Sequence, residues 1–234
     1  MTEAEWLTCV DPWTMLRFLR TDRNDRKLRL LLCAFCRQSW ALFEEIAGAQ
    51  AFVELAERMA NGFVAKKEVR AVRLGCLHAL VDGMDWKDDD ADFMLDRFGG
   101  FHFEDDPAWV REMAVRLIAV RALGQTVSAN EVAQVVRALA DARVGATDSQ
   151  DCDLIREVFG NPFRPVTFDS SWLTSTVRAL ATGVYTERAF DRLPILADAI
   201  QDAGCDSDDV LTHLRSDGPH VKGCWALDLV LGKA

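Results

Sequence analysis

The chain has 234 residues, half of them apolar and 27% charged, with a net charge of −10. That composition is globular and excludes a disordered polymer, and the length suits one large domain or two small ones. The acidic balance also argues against nucleic-acid binding, because phosphates select for clustered Lys and Arg. The one basic cluster, Arg23, Arg26, Lys27 and Arg29, is interrupted by Asp22 and Asp25.

The longest apolar stretch, LRLLLCAFC, falls short of the roughly 18–20 residues that a membrane span needs. The opening MTEAEWLT lacks the basic-then-apolar order of a secretory signal, so a cytoplasmic location is expected. Seven scattered cysteines are not a disulfide framework and are expected to be reduced and mostly buried.

In chain order the pattern is helical nearly throughout. Thr2 and Glu5 form a capping box, and Asp11-Pro12 places a capping acid before a proline at the first helical position. Asp25 is expected to cap a third helix running to about Phe43, apolar on most faces and therefore central in the core. AQAFVELAERMAN, ending at Gly62, is a fourth helix. Residues 66–83 are a fifth, presenting Val69, Val72, Leu77 and Leu80.

Asp106-Pro107 opens a helix that runs to Leu123, and Ser128 with Glu131 opens the next. The small, polar stretch 142–151 is the expected boundary between residues 1–146 and 147–234, with one continuous domain as the alternative. CDLIREVFG then reads as helix and NPFRPVTFD as extended chain. Further helices are expected at about 170–185, 188–203, 207–215 and 220–231. No β-type alternation occurs.

Four metal-ligating residues fall close together near the end: Cys205, His213, His220 and Cys224. Their types suit tetrahedral zinc, and a helix at 220–231 would put His220 and Cys224 on one face. The spacing is not that of a zinc finger. The preferred reading is therefore that both cysteines pack in the core and both histidines bond backbone groups, with no cofactor expected and zinc as the alternative.

Cys33-Ala-Phe-Cys36 lies mid-helix among leucines, where no free amides stabilise a thiolate, so packing is expected rather than redox chemistry. Asp88, Asp90 and Asp92 match the first positions of a calcium loop, but Phe93 and Gly99 stand where Gly and Glu are required. With Asp89 and their acidic neighbours in 82–106, these residues are expected to form an exposed surface for a basic protein partner. No GxSxG, HExxH or Gly-rich phosphate loop is present.

The strings TEAEWLTCVDPWTMLRFLR, DRKLRLLLCAFCR, CDLIREVFGNPFRPV and RAFDRLPILADAIQDAGC, with the closing GPHVKGCWALDLVLGK, resemble a family of uncharacterised proteins abundant in planctomycete bacteria of the Gemmata type. The resemblance touches both ends and roughly two thirds of the chain. It implies a shared fold but no activity. In that family a Cys often follows the position of His213, where this chain has Leu214, so one possible ligand is missing.

The expectation is an all-α, multi-helix bundle, with two packed helical subdomains as a variant. The leading function is a non-enzymatic cytoplasmic interaction or scaffold module with an unidentified protein partner, binding neither nucleic acid nor membrane. The alternatives are a helical protein with a structural zinc site near its C-terminus, and an enzyme or small-molecule binder with a pocket between the halves near FGNPFRPV.

Overall fold

The computed structural model describes residues 1–19, 24–42, 49–62, 64–78, 122–124, 126–142 and 148–233. Among these the protein is all-α, with eleven α-helices and no strand. None of the described helices is long and apolar enough to cross a membrane. The acidic segment 82–106, with Asp88, Asp89, Asp90 and Asp92, lies outside the described residues. So does most of the helix expected from Pro107.

The chain divides into two compact units: Asp11–Asp151, and a discontinuous unit of Met1–Val10 with Cys152–Ala234. The boundary expected near residue 147 thus falls at 151/152, and the first ten residues group with the C-terminal part.

The Asp11–Asp151 unit contains α2 (Pro12–Phe18), α3 (Asp25–Gln38), α4 (Ala49–Asn61), α5 (Lys66–His78) and α6 (Ala129–Ala142). Asp11 caps α2 by accepting from the Trp13 amide at 3.0 Å. Ser128 and Glu131 close the expected capping box on α6, at 2.7 and 3.3 Å. Such caps satisfy amides that the first turn leaves free, each worth about 1 kcal/mol.

Two details of α3 differ from expectation. Its cap is Asn24, which accepts from the Lys27 amide, and Asp25 instead pairs with Arg29 at 3.0 Å. The helix ends at Gln38, with a short 3-10 turn at Trp40–Leu42.

α3 is the core element. Leu28 and Leu30 through Cys36 are all buried, and α3 packs on α4 and α6, where Phe52, Val53, Ala56, Val132, Val135 and Val136 are buried too. Arg29 is buried among them; Asp25 balances its charge, and its donation to the carbonyls of Ala122 and Gly124 binds that segment to α3.

Cys33 and Cys36 are 2% and 1% exposed, as the mid-helix position implies. A thiol reagent applied to native protein should leave both unmodified while the part-exposed Cys9 reacts, read by peptide mass mapping. Rapid labelling of either would contradict the packing.

The discontinuous unit contains α1 (Glu3–Thr8), α7 (Asp148–Phe159, from Cys152 onward), α8 (Ser175–Glu187), α9 (Leu193–Asp202), α10 (Asp208–Arg215) and α11 (Trp225–Leu231). Thr174 caps α8, and Arg188 in the left-handed region ends it. Pro194 sits in the first turn of α9, where its missing amide costs nothing. Val177, Ala181, Val184, Leu193, Leu196, Ile200, Val210, Leu214, Leu227 and Val230 interlock as the core.

The N-terminal segment is held by α7 and the residues after it. Trp6 is fully buried, and its indole N–H donates to the Gly160 carbonyl at 3.0 Å. Arg156 donates to the carbonyls of Trp6 and Cys9. Glu3 receives Asn161 at 2.8 Å and Arg164 at 2.5 Å. The stretch NPFRPV therefore serves as part of the seat for α1.

Candidate metal centre

The segment after α10 carries most of the site. His213 is in the last turn of α10, and the Ser216 amide and hydroxyl both donate to its carbonyl. The chain then turns through Gly218-Pro219 to His220. The stretch from His220 to Cys224 is a turn, because Gly223 takes φ 97°, and α11 starts only at Trp225. His220 and Cys224 therefore do not share a helix face. The turn brings them together instead, with Cys224 at the N-cap of α11.

Four side chains converge here. Glu157, His213, His220 and Cys224 each bring one ligand atom, all within 4.8 Å of one another. Glu157 Oε1 is 3.1 Å from His220 Nδ1, and Glu157 Oε2 is 3.3 Å from His213 Nε2. Cys224 Sγ is 3.2 Å from His213 Nε2. Bonds of about 2.0–2.3 Å in tetrahedral array put neighbouring ligand atoms about 3.3–3.8 Å apart. The three contacts above are at or just inside that spacing, and the wider separations, up to 4.8 Å, would have to close by up to about 1 Å around an ion.

The proton inventory adds a second constraint. The Ser216 carbonyl can only accept, so His220 Nε2 at 2.9 Å must carry hydrogen and donate. In a neutral ring that leaves Nδ1 as a bare lone pair aimed at a carboxylate oxygen. The contact is favourable only if a second proton or a cation lies between them. Ligating histidines are oriented in just this way, by donating the distal N–H to a backbone carbonyl.

The electrostatics agree. Burial pushes the Glu157 carboxyl upward, but bonds to His213 and His220 and their charge outweigh it and bring the group to about 2. Burial lowers His220, and the Glu157 carboxylate more than reverses this, so its net shift is upward. Burial first, and the Glu157 charge second, push the Cys224 thiol well above its ordinary value. Glu157 and Cys224 are buried, at 2% and 0% exposed, and His213 and His220 border them at intermediate exposure.

A cysteine nucleophile does not fit. Both Cys224 and Glu157 face the same nitrogen of His213, whereas a base oriented by a carboxylate needs its partners on opposite nitrogens. The sealed, hard-to-ionise thiol is equally unsuited.

Of the four residues singled out by sequence, His213, His220 and Cys224 meet, and Cys205 does not join them. Gly204 takes φ 99° and the Cys205 amide bonds back to the Ile200 carbonyl, which turns the thiol into the core at 4% exposure. Glu157 takes the fourth place. Its sequence signal is an acid lodged beside Leu154, Ile155 and Val158, which are all buried. Trp225 lies against the His213 ring at 4.9 Å and packs on Gly160, whose φ of 67° and lack of Cβ make room for the indole. Compared with protein-family models, with curated proteins and with solved structures, the chain matches none.

Proposed function

We propose that this is a non-enzymatic helical module whose discontinuous unit is closed by one zinc ion, held by Glu157, His213, His220 and Cys224. The observation that carries this reading is the convergence of four ligand atoms within 4.8 Å of one another, with the His220 ring oriented by the Ser216 carbonyl so that Nδ1 faces Glu157. Two imidazoles, a thiolate and a carboxylate are the donors that zinc takes in four-coordinate sites, and a hard cation such as magnesium would not select them.

The role is structural. Four protein ligands fill a tetrahedral shell, and the burial of Glu157 and Cys224 supports a site without an open position for substrate. A thiolate ligand also belongs in a reducing compartment, in keeping with cytoplasmic placement.

Metal analysis of protein purified without chelator tests the reading. About one zinc per chain is expected, falling to background in a Glu157→Gln, Cys224→Ser double variant. Cobalt in place of zinc should give the near-ultraviolet charge-transfer band of a thiolate ligand and the strong visible bands of a tetrahedral ion. Sub-stoichiometric zinc together with no thiolate band on cobalt addition would reject it.

A further inference from the structure

We infer that the zinc ion also acts as the latch that holds the N-terminal segment, residues 1–10, on the rest of its unit. This rests on the zinc reading above and adds to it a regulated element. The placement of the ligands points to it. His213, His220 and Cys224 lie within twelve residues of one another, so an ion on those three alone would only order a local turn. Glu157 comes from α7, and its ligation fastens the last turn of α7 to that distant turn.

The same last turn is the seat of α1. Arg156, adjacent to the ligand Glu157, donates to the Trp6 and Cys9 carbonyls. Gly160, three residues beyond it, accepts the Trp6 indole at 3.0 Å. From the other side Trp225, adjacent to the ligand Cys224, packs on Gly160 and on the His213 ring. Arg156 and Gly160, which bond Trp6, thus each neighbour a ligand or a side chain stacked on one.

A cation attracts all four electron-rich atoms at once and holds α7 and the turn in register. Its removal leaves only the direct contacts of Glu157 with His213 and His220 to hold α7 to the turn, and so weakens the seat at the point where it is assembled. Ion occupancy and docking of the segment are then two sides of one equilibrium, so each must change the other by the same factor.

Two measurements on the full chain test this, with zinc alone as the probe. Hydrogen exchange of the peptide spanning residues 3–9 should slow about 10-fold when zinc is added to chelator-stripped protein, within the usual range of such couplings. The Trp6→Phe variant removes the indole donor and keeps an aromatic ring. It should bind zinc at least about 5-fold more weakly in competition with a chromophoric chelator, whereas Leu7→Ala, at a 54% exposed position of the same helix, should bind as wild type does. If wild type binds one zinc but exchange in 3–9 and the Trp6→Phe affinity are both unchanged, the latch is wrong and the zinc reading stands. If wild type takes up no zinc at all, both fall together.

Discussion

Stripping zinc with EDTA at neutral pH should lower the melting temperature of the discontinuous unit by about 15–30 °C. A ligand that binds only the folded form stabilises by about 4 kcal/mol when free ligand is a thousandfold above its Kd. Each kcal/mol moves the midpoint of a domain of about 90 residues by roughly 4–8 °C. The effect should also depend on pH, with a sign fixed by the same groups.

In the ion-free protein Glu157 and His220 hold each other as an ion pair. The carboxyl is depressed to about 2 from an ordinary 4.5, so its contribution is present above pH 4.5 and is lost as pH falls toward 2. His220 is raised from an ordinary 6.5, so its contribution is complete below pH 6.5 and is lost as pH rises through the raised value. These are one interaction seen from its two ends. Ion-free protein is therefore best supported between pH 4.5 and 6.5. Zinc, which must displace protons from His220 and from Cys224, gains with rising pH. The melting difference between loaded and stripped protein should accordingly widen from pH 6 to pH 8. A difference under 3 °C at pH 8 would show that the four residues are packed without an ion.

Truncating Trp6 to Ala should cost about 3–5 kcal/mol, the range for removing a fully buried large aromatic. A further penalty, about 1 kcal/mol, comes from leaving the Gly160 carbonyl without its donor. Since whole domains are stable by only about 5–15 kcal/mol, this is a large fraction of the total. Urea titration followed by circular dichroism measures it. A loss under 1 kcal/mol would mean that the segment carries no weight in the fold. Thr2→Ala, which removes only an exposed cap from the same helix, should cost no more than about 1 kcal/mol.

What could be read from the sequence divides along the range of the interactions. Capping is local: Thr2 with Glu5, Asp11 with Pro12, and Ser128 with Glu131 each act within one turn, and each marks a helix start in the structure. The apolar face of α3 was equally plain. His213, His220 and Cys224 stood out because three residues of two scarce ligand types lie close together. Glu157 did not, because a ligand 56 residues before His213 leaves no spacing to recognise, and an acid in a helix ordinarily reads as solvent-facing. Cys205 packs in the core, as the preferred reading expected, because the left-handed Gly204 reverses the chain and sends the thiol inward; only the zinc alternative counted it as a ligand. The partnership of Trp6 with Gly160, 154 residues apart, has no local signature at all.

That separation has a consequence during synthesis. Ribosomes emit the chain at roughly 5–20 residues per second, so about 8–31 s pass between the appearance of Trp6 and that of Gly160. For that interval the indole has no seat, although residues 11–151 are already available to fold. The helix that carries Trp6 is thus placed only after residues 11–151 have emerged, and its tryptophan stays uncovered until then.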